Sequence, residues 1–162
     1  MNDVTNNLNI DDQAKQAIQQ ANDVLVKLPL IGPIMWLFVH HPVKRHAFAS
    51  DLEWMVMPPL VLDQAKLYMK GMAPLGFASW AFVSDEVQQR LAAGHGKLAP
   101  HEWKSGKHLW LIDIIAPFGG TDDVIKDLRE KVFPTQSIKA LMPDLQQKTL
   151  KIQEWPAFKP AQ

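Results

Sequence analysis

Cysteine is absent from the chain, which excludes disulfides, zinc ribbons and thiolate catalysis. No charge surplus exists either: 17 basic residues balance 17 acidic ones over 162 positions. Broad attraction to nucleic acid or to an anionic membrane scales with the phosphates neutralised, so neither is an expected partner. A long apolar run is also missing. The most apolar stretch, residues 24–39, is interrupted by Lys27, Pro29 and Pro33 and falls short of the roughly 20 residues of a bilayer crossing. No membrane span is expected, and the stretch reads as buried helix, with a membrane-surface helix as the lesser alternative. The N-terminus has no basic segment followed by an apolar one, so no secretory signal is read and a cytoplasmic location is expected. With these classes removed, chemistry must come from His, Asp, Glu, Lys or the backbone.

What is present suits one globular domain, residues 1–155, with 1–10 and 156–162 flexible: 47% of the chain is hydrophobic and the length is enough for a real core. Asp11 or Asp12 can cap a helix whose apolar stripe is Ala14, Ala17, Ile18, Ala21, Val24, Leu25 and Leu28, ended by Pro29. A second short helix, residues 34–40, stops before Pro42, and a third over 48–57 halts at Pro58-Pro59. The period then becomes alternating. Residues 65–70 and 75–83 read as a β-hairpin whose second strand is apolar on both faces, hence central. Ser84 opens a helix that closes on Gly94. Residues 95–107 read as a loop, and 108–116 as a second central strand. Thr121 begins another helix, and strands over 137–142 and 149–155 follow. The fold class is α+β: a central, mostly antiparallel sheet flanked by helices.

Three places can carry chemistry. Asp113 is the one polar side chain in Leu109-Trp110-Leu111-Ile112-Asp113-Ile114-Ile115, where a buried carboxylate needs a partner. It either pairs with a basic residue or sits at the ligand crevice near a strand's carboxyl end, where desolvation would raise its pKa. His40-His41-Pro42-Val43-Lys44-Arg45-His46 packs three histidines and two cations into seven residues. It lacks metal-ligand spacing and its cations would repel an ion, so no metal is expected. It reads as a polar connection between helices or as a base with positive charges for an anionic ligand. Finally, Gly119-Gly120 precede a helix start whose free N–H groups suit an anion or an oxyanion, or simply make a turn. The tryptophans read mostly as core.

Taken together, Trp36, Pro42 and Arg45, then Gly76-Phe77-Ala78-Ser79-Trp80-Ala81, Trp103-Lys104-Ser105-Gly106 and Trp110 to Gly119 resemble the RTX toxin-activating lysine acyltransferases, over about residues 34–133. The resemblance implies a GNAT-like single domain that moves a fatty acyl group from acyl carrier protein to internal lysines of an RTX protoxin or RTX-type protein, without a resident cofactor. A homodimer is compatible with it. It also implies a catalytic histidine and aspartate. The aspartate falls on Asp113. Family members carry the histidine two residues after the proline that is Pro42 here, and this chain has Lys44 there. His46 replaces it if the backbone is extended, because positions 44 and 46 then share a side; in a helix they diverge. His41, a candidate helix cap, ranks behind His46 and Lys44. Arg45, Gly119 and Gly120 are expected to bind the acyl donor or the oxyanion. The alternatives are a weakened relative that binds acyl carrier protein or an RTX partner without turnover, and acylation of Lys44 itself.

Overall fold

A computed structural model describes residues 12–159. The chain forms a five-stranded sheet in the order β1 (Ala65–Lys70), β2 (Ala73–Val83), β3 (His108–Ile115), β4 (Ile138–Asp144) and β5 (Thr149–Trp155). All neighbours are antiparallel except β3 and β4. The expected α+β class with a mostly antiparallel sheet is what the chain adopts. Strand β2 lies inside the sheet, between β1 and β3, and its side chains are apolar on both sides: Phe77, Ala78, Trp80 and Ala81 are all buried.

On one face of the sheet, α5 (Thr121–Asp127) and the π-helical turn Leu128–Val132 bury Val124 and Leu128 against Ala78, Trp80, Leu109 and Leu111. The opposite face carries two clusters. The C-terminal turns of α1 (Asp12–His40), with α2 (Leu52–Met55) and α3 (Met57–Val61), cover Phe77 and Ile115. Helix α4 (Asp85–Ala92) covers Ala81, Val83 and Trp110. Its cap is the expected one: the Ser84 hydroxyl accepts the Val87 amide at 3.3 Å.

The proline-bounded helices differ from expectation. Pro29 does not end the first helix; α1 is continuous through Pro29 and Pro33, and residues 34–40 are its last turns. A proline inside a helix frees one carbonyl and crowds it. Pro29 lies on the exposed side of the helix, and packing of Ile34, Leu37 and Phe38 holds the following turns. The stripe expected to be buried is open: Ile18, Leu25 and Leu28 are about half exposed, because no element of the described residues packs over this half of the helix. Of the expected caps, Asp11 lies outside the described residues. By length and composition alone, α1 could cross a membrane, yet its C-terminal turns sit in the protein core. Pro58 and Pro59 likewise do not stop a helix. They fall in the first turn of α3, where the missing N–H groups would have no helical partner. At the other end of the chain, within the segment expected to be flexible, the Lys159 amide donates to the Pro134 carbonyl at 2.7 Å.

The loop before β3 is more ordered than its polarity suggests. Buried Trp103 anchors it, and Ser105 and Gly106 both donate backbone N–H groups to the Phe82 carbonyl. The buried Gln64 amide donates to the carbonyls of both Trp80 and Trp103, tying loop and sheet together. Gly106 is fixed by space, since a Cβ there would stand 2.4 Å from the Val83 carbonyl oxygen and 2.6 Å from Ser84 backbone atoms. Both obstacles are backbone, so neither can step aside as a side chain would. Gly106→Ala is therefore expected to destabilise the domain by about 2–3 kcal/mol through overpacking, read as a lower urea midpoint with an unchanged slope.

Candidate active site

Asp113 owes its direction to one extra residue. Strands β2 and β3 pair in register up to Ser79 opposite Asp113, but Trp80 then faces Leu111, so Ile112 is unmatched. Side chains alternate along a strand, and without this bulge Asp113 would share the face of Leu111 and enter the core under α5. With the bulge it lies on the face of Phe77 and Ile115, toward α1.

Just beyond, the sheet opens. Parallel pairing between β3 and β4 is limited to Trp110 with Lys139 and Leu111 with Ala140. Past that point a cavity of about 570 Å³ is lined by Ile112, Asp113 and Ile114 from β3 and by Leu141, Met142 and Pro143 from β4. Leu91 and Leu150 add apolar wall, and His41, Val43, Lys44 and Thr121 also line the cavity. The result is an apolar slot with three ionisable groups, in the size range of small-molecule sites.

Those three groups interact. The Lys44 ammonium forms an ion pair with Asp113, both side chains being largely shielded from solvent. Burial pushes the Asp113 carboxyl above the usual carboxylate range, and the charges of Lys44 and His41 pull only partly against it. His41 caps the following turn: its Nδ1 accepts the amides of Val43 at 3.2 Å and Lys44 at 3.1 Å. With Nδ1 accepting, the neutral ring carries its proton on Nε2. Burial, then the Lys44 charge, lowers the His41 pKa, and Asp113 opposes.

The other residues expected at the site lie elsewhere. Lys44–His46 is a 3-10 turn, so the extended backbone that would bring His46 to the side of Lys44 is not adopted; His46 is exposed and outside the cavity lining. Arg45 is exposed one residue from the pair. Gly119 and Gly120 are exposed with φ of +91° and +93°, making the left-handed turn into α5, and Thr121 rather than either glycine lines the cavity. One neighbour, Ser79, was not singled out from sequence. Ser79 is fully buried opposite Asp113 with a hydroxyl that has no partner among the described residues, and its signal was a lone hydroxyl in a run of apolar residues. His41, ranked last, is the histidine beside Asp113. Among the described residues no group of three or more potential metal ligands is clustered.

The ion pair makes a pH prediction. Lys44→Met leaves the Asp113 carboxylate buried without its cation, raising its pKa further. The folded state then holds a proton that the unfolded state has released, so stability falls as pH rises from the unfolded value near 4 through the raised one. Urea midpoints of the variant should be lower at pH 8 than at pH 5, corresponding to a loss of unfolding free energy on the order of 2 kcal/mol. A parallel shift of parent and variant at both pH values would show that the pair is not coupled.

The family model of the RTX toxin acyltransferases matches residues 23–156. The chain is 33% identical over 117 residues to the lysine-acyltransferase RtxC of Vibrio cholerae, covering 71% of this chain and 76% of that protein. It is 30% identical over 128 residues to the protein-lysine myristoyltransferase HlyC of Escherichia coli, covering 79% and 75%. A leukotoxin-activating lysine-acyltransferase, LktC, of a Pasteurella haemolytica-like species is 34% identical over 101 residues, covering 62% and 61%. The family match over most of the chain and these identities show that the chain belongs to the RTX toxin acyltransferase family.

Proposed function

We propose that this chain is a protein-lysine fatty acyltransferase that takes an acyl group from acyl carrier protein in the cytoplasm and attaches it to internal lysines of an RTX protoxin or RTX-type protein. The observation that carries this reading is the Asp113–Lys44 pair at an apolar slot between parting strands. A fatty chain needs apolar wall, and Leu91, Ile112, Leu141, Met142 and Leu150 supply it.

Transfer requires a base for the acceptor lysine and donors for the oxyanion. The acceptor amine attacks the thioester carbonyl carbon, forming C–N, while the carbonyl oxygen takes the negative charge. The Lys44 ammonium and the His41 Nε2–H are the available donors for that oxygen. Asp113, its carboxylate made more basic by burial, takes the proton released by the amine and returns it to the leaving sulfur as C–S breaks. An amide, a thiol and the starting carboxylate remain. His41 is less suited to be the base, because its Nδ1 lone pair already accepts two amides. Acylation of Lys44 would end in a stable amide with no activated carbonyl to pass on. The scheme uses one chain and no resident cofactor; a homodimer adds nothing to it. Exposed Arg45, next to Lys44, offers a cation to an acidic carrier protein. The second reading, a weakened relative that binds without turnover, draws on the same fact that Lys44 occupies the place the family resemblance gives to histidine.

Asp113→Asn is expected to fold and to lose roughly 10²–10⁴ of the transfer rate, as for loss of a general base. Lys44→Met should lose about 10²–10³, as for an oxyanion donor, whereas His46→Ala should stay within about twofold on the same general-base argument. In the parent, kcat should rise with pH through the raised Asp113 pKa. Acyl-lysine on an RTX protoxin, read by mass spectrometry, is the measurement; Lys44→His more active than the parent would instead favour the weakened relative.

Carrier binding should weaken from 50 to 300 mM salt in the parent and less steeply in Arg45→Gln, an electrostatic effect screened over roughly 10 Å. Equal rates with acyl-coenzyme A and salt-independent carrier binding would remove the acyl carrier protein from the scheme.

A further inference from the structure

Three aromatic rings stand together on the surface. Trp36 and Phe118 are 45% and 54% exposed, and His40 is exposed as well. Their centroids lie 4.3 Å apart for Trp36 and His40, 5.2 Å for Trp36 and Phe118, and 5.4 Å for His40 and Phe118. The His40 Nδ1 is bonded to the Trp36 carbonyl at 2.8 Å, which holds the imidazole against the indole. Tryptophan and phenylalanine normally bury such area, and in this chain Trp80, Trp103 and Trp110 do. The surface rings therefore present preformed apolar area and π faces to something outside the described residues.

Their place indicates what. His40 is joined by one peptide bond to His41, which lines the cavity, and Phe118 by two glycines to Thr121, which also lines it. Beside Thr121 stand Asp122 and Asp123, both exposed and, among the described residues, paired with no cation. Ring faces and carboxylates both attract ammonium and guanidinium groups, and both repel an acidic surface. The patch thus has the wrong sign for an acidic carrier and the right one for a basic, partly apolar polypeptide.

We propose that Trp36, His40 and Phe118, with Asp122 and Asp123, form the docking patch for the lysine-bearing segment of the acceptor protein at the cavity. This rests on the acyltransferase reading above, and it adds a division of the surface. The acceptor enters over the rings and carboxylates, and the donor comes from the side of Arg45.

The test separates binding from transfer. The probe is a lysine-bearing peptide taken from an RTX protoxin, with a counterpart in which the lysines are glutamine, titrated against the full chain by calorimetry. The parent should prefer the lysine form, with an affinity that falls as salt rises. Trp36→Ala and Phe118→Ala should each weaken the lysine peptide about 3- to 30-fold, the range of a partly exposed cation–π contact, and Trp36→Phe should recover most of the loss. Asp122→Asn with Asp123→Asn should flatten the salt dependence. The substituted positions are exposed, and circular dichroism checks that each variant is folded. Equal peptide affinity in all variants, no preference for the lysine form in the parent, or loss confined to carrier binding would each overturn the patch. Retained peptide binding with no acyl-lysine formed would defeat the acyltransferase reading while leaving the patch standing.

Discussion

One unmatched residue, Ile112, is the constraint on which the site depends. The β2–β3 ladder is the backbone of the domain, with side chains packed on both faces, so its register cannot slip without moving every core residue on β3 to the wrong side. The bulge changes the phase once, inside that ladder. Leu109 and Leu111 stay in the core under α5, while Asp113 turns to the opposite face and Ile115 joins the cluster beneath α1. A carboxylate two residues after Leu111 would otherwise be buried among aliphatic side chains.

The parting of β3 from β4 follows the same logic. Only two residue pairs hold the parallel ladder, near the N-terminal half of β3, and β4 is held on its other side by seven pairs with β5. The β4–β5 hairpin can diverge while remaining fully paired with itself, which is how a slot forms inside a continuous sheet. Its apolar walls are residues that would be core in a closed sheet. Lys44 and His41 reach the slot because α1 ends at His40, before Pro42, and the short 3-10 turn then delivers Lys44 to Asp113. A shielded ion pair is a poor device for stability alone, since desolvation offsets much of its attraction. Here it also keeps a carboxylate of raised pKa and an ammonium facing a ligand-sized space.

Much was legible in the sequence because it follows from local physics. Alternation located the hairpin and the central strands, Ser84 announced its cap, and the isolated charge in an apolar strand marked Asp113. Periodicity placed an apolar stripe on the first half of α1, but burial needs a partner as well as a stripe, and the described residues cover only its last turns. Pro29, Pro58 and Pro59 were read as stops because a proline removes a donor. Whether that loss matters depends on where the freed carbonyl points and which turn the ring occupies, and both are set by packing.

The sequence by itself therefore determined the fold class and the five strands, and it marked Asp113 as an isolated charge in an apolar run, since these depend on neighbours within a few residues. The tertiary structure alone decided which side of the sheet that carboxylate faces, that His41 rather than His46 stands beside it, and that Trp36, His40 and Phe118 meet at the surface. Each of those depends on a bulge, a turn or a contact between residues far apart in the chain, and no local pattern records the distance between them.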